Sequence, residues 1–147
     1  MTARDMERRH AFARALGALT LAGAVAAALG ACGEDDRPAS WSYIHAAIIA
    51  PSCTTSSCHT QENDLAGVQL HSADVAYGIL VGQACDVNNP PDVAERNFVA
   101  PGQPERSHLM YLLIGEEAKL QMPPDRPLPG GDIDLIERWI LEGALCN

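Results

Sequence analysis

Cys53, Cys58 and His59 stand together in the run SCTTSSCHT, residues 52–60, with only small hydroxyl side chains (Thr54, Thr55, Ser56, Ser57) between the two thiols. Three chemistries suit such a set. Two thiols can add to the two vinyl groups of a haem, and a histidine directly after the second thiol is then held beneath the iron as its proximal ligand. The usual spacing is C-x-x-C-H, whereas this chain reads C-x-x-x-x-C-H; the Cys58–His59 coupling is intact and the two additional residues must bulge. Alternatively the three side chains and a methionine make a soft metal site, although ligands so close in sequence crowd one another and the usual zinc spacings differ. In the third case Cys53 and Cys58 close a small disulfide loop and His59 has no special role.

An iron held in this way needs a second axial ligand, and a Met thioether from a distant loop is a common choice in an electron carrier. Met122, in QMPP, has that context, beside two prolines that stiffen its loop. Met110 competes but falls within a helical pattern, where core packing is the expected role; His45, His71 and His108 are further candidates. No Ser-His-Asp set, paired-carboxylate motif or phosphate loop stands out, so no enzymatic activity is expected. The Met122 loop also argues against an open, peroxidase-like distal site.

The first 31 residues bear on the compartment. Arg4, Arg8, Arg9 and Arg14 make a positive head, and residues 15–31 are uncharged and rich in Ala, Leu and Gly, the pattern of a secretory signal. This uncharged run lies at the lower limit of the ~17–25 residues that span a bilayer, so a permanent membrane span is not expected. Its end, LGAC, resembles a bacterial lipobox. That resemblance implies cleavage before Cys32, a lipid on its thiol, and an exported protein anchored to a bacterial cell membrane, facing the periplasm or the cell surface. An ordinary signal cleaved by another peptidase would leave Cys32 a thiol.

Without residues 1–31 the chain is one small domain, large enough for a modest core. Four of the ten Lys and Arg and two of the nineteen Asp and Glu leave with the signal, so six positive charges face seventeen negative ones. Such a surface repels nucleic acid and anionic headgroups and attracts a basic partner face; solubility in an exported protein is reason enough for it as well. Four cysteines remain besides Cys32: Cys53, Cys58, Cys85 and Cys146. An even count in an exported domain points to full covalent use, as two disulfides or as one disulfide plus a cofactor attachment.

Short helices must position these groups. Residues 32–40 hold GEDDRPAS and read as a tether ahead of a domain over 41–147. Ser40 can cap a helix with Trp41, Ile44, Ile48 and Ile49 on one face, stopped by Pro51. LAGVQL, residues 65–70, can be extended. Ser72 and Gly82 bracket a second helix, and Ser107 and Gly115 a third with Leu109, Met110, Leu112 and Leu113. Asp132 to Glu142 makes the last, with Ile133, Ile136 and Ile140 in one stripe. Residues 83–106 and 121–131 are Pro- and Gly-rich loops. The class is mainly α, and so thin an apolar core needs a staple or a buried cofactor.

The order of helix, Cys-His loop, VAPGQPERSHLMYLL, MPP and IDLIERWILEGA resembles the small cytochrome c domains of planctomycete and myxobacterial exported proteins, over roughly residues 41–145. The Pro101-Gly102 pair with Ser107 and Leu109, the Met-Pro-Pro and the ending from Trp139 to Ala144 carry the likeness. It implies a class I cytochrome c-like bundle of short helices with long Pro/Gly-rich loops around one haem, the first and last helices crossing over one haem edge. It implies one covalent haem c on Cys53 and Cys58, with His59 proximal and Met122 distal, as metal ligands. The cysteine spacing departs from the usual pattern. With that pair taken, Cys85 and Cys146 make one disulfide closing a loop of about 60 residues, worth roughly 3–4 kcal/mol on a chain-entropy model. The expected function is monohaem electron transfer with Fe(II)/Fe(III) cycling, to a redox partner protein with a basic docking face. The alternative is a haem-free, disulfide-stapled lipoprotein that binds or scaffolds.

Overall fold

Four helices carry the fold in this computed structural model, which describes residues 35–55, 58–85, 98–115 and 120–147. The expected signal over 1–31 and the lipidation site at Cys32 lie outside the described residues, as does much of the loop over 83–106. Among the described residues there is no strand, only an isolated bridge between His59 and Asp64, and no helix is long and apolar enough to cross a membrane. The mainly α class is thus what the chain adopts.

α1 is built from three consecutive segments: α-helical Trp41–Ile44, π-helical His45–Ile49 and α-helical Ala50–Cys53. The expected stop at Pro51 does not occur. Pro51 has no N–H to give to the carbonyl of Ala47, and its ring would crowd that carbonyl in a regular α-helix. The π segment widens the ladder just before it, with the Ala50 N–H reaching back to the His45 carbonyl. The helix therefore continues to Cys53 and delivers that thiol on its last turn.

α2 is Ala73–Val81, capped as expected: the Ser72 hydroxyl accepts from the Val75 N–H and Gly82 closes the helix at φ 72°. α3 is His108–Ile114, ended by Gly115 at φ 73°. Ser107 precedes it but does not cap it. The Ser107 side chain is fully buried and bonds to the Ala100 N–H and the Gln103 carbonyl, fastening the loop that leads in. α4 is Gly130–Leu141, with Asp132 in its first turn as the dipole favours.

Trp41 of α1 stacks on Trp139 of α4 at 5.1 Å between ring centroids, and Tyr77 of α2 meets Trp41 edge-on at 5.6 Å. Each polar handle in this cluster is satisfied: Trp41 Nε1 donates to Ala73, Trp139 Nε1 to Leu145 and Tyr77 Oη to Ala144. The first and last helices thus meet through their tryptophans. Cys85 and Cys146 are joined by a disulfide 61 residues apart in sequence, with 5.5 Å between Cα atoms.

Residues 37–147 form one compact unit. The last four residues expected of the tether belong to it. Arg37 reaches Asp132 at 2.5 Å and the Gly131 carbonyl at 2.7 Å, and Arg138 donates to the Arg37 carbonyl. These contacts tie the incoming chain to the start of α4.

Candidate functional site

The C-terminal turn of α1, the segment 58–70, α3 and the residue 120–124 stretch converge on one apolar cavity of about 290 Å³. Its walls are Ile49, Val68, Leu70, Leu80, Phe98, Leu109, Leu112 and Leu113, and Cys53, His59, Ala66 and Met122 complete the lining. The last four also line an adjoining space of about 140 Å³, to which Cys58, Leu65, Pro123 and Pro124 contribute. The four residues singled out from sequence, Cys53, Cys58, His59 and Met122, are therefore neighbours around one chamber.

His59 is oriented by the stretch behind it. Its Nδ1 lies 3.0 Å from the Val68 carbonyl. A carbonyl only accepts, so Nδ1 carries a hydrogen and Nε2 is the ring nitrogen left to meet a ligand. The backbone holds it too: the His59 N–H donates to the Cys53 carbonyl at 3.1 Å, and the Leu70 N–H donates to the His59 carbonyl at 2.9 Å. LAGVQL is thus not an extended strand. Leu65–Gly67 is a single 3-10 turn, and 68–70 runs on as the support of His59.

Cys53 and Cys58 are both thiols and both half-buried. Burial, with a smaller contribution from the neighbouring Cys58, pushes the Cys53 thiol up to about 11 from 9.0. The loop between them turns through the Cys58 N–H, which donates to Thr55, while the Thr55 hydroxyl donates to Cys58 Sγ at 3.2 Å. The Thr54 hydroxyl caps α1 by donating to Ala50 at 2.7 Å. Thr54 and Thr55 therefore serve the loop by bonding locally.

Met122 is docked by its backbone. Its N–H donates to the Leu112 carbonyl at 2.8 Å, one of the carbonyls that the end of α3 leaves without an intrahelical partner. Met110 faces elsewhere. It lines a separate surface groove of about 520 Å³ with Glu105, Tyr111, Ile114, Ile133, Asp134, Glu137 and Leu141. That groove is larger but holds none of the thiols or imidazoles. The other histidines among the described residues do not line the chamber: His71 is exposed, His108 stacks on Phe98 at 5.8 Å, and His45 is buried with its Nε2 3.1 Å from the Leu70 carbonyl.

Ala66 was not foreseeable as part of the site. It lines both spaces with a left-handed backbone, φ 58° and ψ 21°, beside Gly67 at φ 69°. A non-glycine residue there costs about 1–2 kcal/mol. Gly67 marks a turn in the sequence, but nothing marks its neighbour.

Among the described residues no three His, Cys, Asp or Glu side chains are gathered so that they could hold a metal ion. Cys53, Cys58 and His59 thus do not converge as a three-ligand metal centre. No family model matches the chain, and no curated protein or solved structure matches it.

Proposed function

We propose that this chain is a monohaem c-type electron-transfer protein. The observation that carries the proposal is the shared lining of one apolar cavity by Cys53, His59 and Met122, with Cys58 at its adjoining end. The donor set fits a haem. A macrocycle supplies four ligands of its own, so the protein needs only axial ones, and the lack of a three-ligand cluster is no obstacle. The lining offers apolar walls for the ring and two thiols for covalent anchorage. His59 has its Nδ1–H tied to Val68, which leaves Nε2 as the ligating nitrogen.

When bound, the haem would supply one-electron Fe(II)/Fe(III) chemistry. Cys53 and Cys58 would hold it as thioethers, His59 as the proximal ligand and Met122 as the distal one. Leu70, Leu80, Phe98 and Leu113 would keep water from the ring, and Met ligation and burial would both raise the potential. The contact of α1 with α4 through Trp41 and Trp139 is compatible with the class I cytochrome c-like arrangement that the sequence resembles. With the lipobox resemblance, the domain would work from a lipid on Cys32 and pass electrons to a redox partner, whose basic face the acidic surface would steer. The rival reading, a haem-free lipoprotein stapled by two disulfides, needs a Cys53–Cys58 bond, and both are thiols here.

The test is the absorption spectrum of denatured, washed protein expressed with a haem-maturation system. Covalent haem is the expected outcome; its absence rejects the reading. A Met122→Ala change should then convert the low-spin spectrum, while Met110→Ala should leave it as it is.

A further inference from the structure

We infer that His45 is a positioning residue for His59, acting through the backbone of residues 68–70; its importance for ligation rests on the reading of His59 as an axial ligand. His45 is the one histidine among the buried residues described, at 8% exposure. Its Nε2 lies 3.1 Å from the Leu70 carbonyl. That carbonyl cannot donate, so His45 carries its hydrogen on Nε2, the opposite tautomer to His59.

The two imidazoles grip one three-residue segment. His45 donates to Leu70 O, His59 donates to Val68 O, and the Leu70 N–H donates to the His59 carbonyl. The Val68 carbonyl selects the tautomer of His59 by where it points. His45 approaches the segment from α1, at the start of the π-helical stretch and against Trp41, whose ring lies 5.7 Å away. It thus fixes the segment from outside the chamber. Without His45 the Leu70 carbonyl loses a buried partner, and the segment is free to relax toward other bonds.

Long-range 1H–15N correlation spectra of the 15N-labelled full chain, in a diamagnetic state, read both tautomers directly. The expected result is Nε2–H at His45 and Nδ1–H at His59. In His45→Phe the ratio of Nδ1–H to Nε2–H at His59 should fall about tenfold, the size of one lost hydrogen bond. His45→Gln, whose amide nitrogen can donate, should restore it. Ile48→Ala, a comparable loss of packing on the same helix, should leave the ratio alone. The inference is overturned by an Nδ1–H tautomer at His45 in the unmodified protein, by an unchanged His59 in His45→Phe, or by an equal shift in Ile48→Ala. If His45→Phe fails to fold, the native tautomers and His45→Gln decide. Absence of covalent haem would reject the electron-transfer reading alone and leave this result standing.

Discussion

At one end of α1 Trp41 lies sealed against Trp139 and Tyr77, while at the other end Cys53 borders a cavity. Both ends are apolar, and the same helix serves both. They differ in what fills them. At the tryptophan end the aromatic rings occupy the space and every ring N–H or O–H has a carbonyl. At the thiol end the apolar walls stand apart. Protein interiors are normally close-packed, so walls that stand apart around about 290 Å³ forgo contacts of the kind the tryptophan end makes. Water would find few partners on such walls. One helix thus joins an end filled by its own side chains to an end that leaves a cavity.

The comparison can be broken in several ways. The largest effect is expected for Trp139→Ala, about 3–5 kcal/mol lost in urea unfolding; a loss below 1 kcal/mol would mean that the tryptophan end is not the closed one. The next is set by pH. Folding raises the Cys53 thiol from 9.0 to about 11, so the folded chain holds that proton longer. Stability is whole below about pH 9 and falls as pH rises toward about 11, by on the order of 2–3 kcal/mol. Unfolding midpoints across that range should show the loss, and Cys53→Ser or thioether formation should abolish it. Filling the two ends should then give opposite signs. Ala76→Leu in the closed core should cost about 1–3 kcal/mol. Leu112→Phe in the cavity should be neutral or raise the midpoint of the haem-free chain by up to about 1 kcal/mol, while lowering the haem-to-protein absorbance ratio. The smallest effect is Ala66→Gly. Relief of the left-handed backbone outweighs the added freedom of the unfolded glycine by about 0.5–1 kcal/mol, read again as a midpoint shift.

Much of the helical frame was legible in the sequence because its signals are local. Ser72 with Gly82 marked α2, Gly115 marked the end of α3, and the stripe of Ile133, Ile136 and Ile140 marked α4. Pro51 misled because its effect depends on the turn before it, and a π turn absorbs a proline that an α turn would not. Ser107 misled because its burial turned a potential cap into a loop fastener. Cys53, Cys58, His59 and Met122 could be named from type and spacing. That Met122 lies on the chamber and Met110 behind α3 depends on which face each presents, which helical context suggested but could not fix. His45 could be named only as a ligand candidate, since its contact is with a distant carbonyl, and Ala66 gave no sign at all, since it acts through a backbone angle.

The Cys85–Cys146 bond divides the chain into an open strand and a covalent ring. Cys53, Cys58 and His59 lie on the open strand, whereas Met122 lies inside the ring, together with α3 and α4. A protease cut anywhere between 85 and 146 would therefore leave a single molecule with every site residue still linked, while a cut between 60 and 84 would release the thiols and His59 from Met122. Any group bonded to both thiols and also bound by Met122 would bridge a tail to a loop, and so hold together two parts of the chain that no disulfide joins.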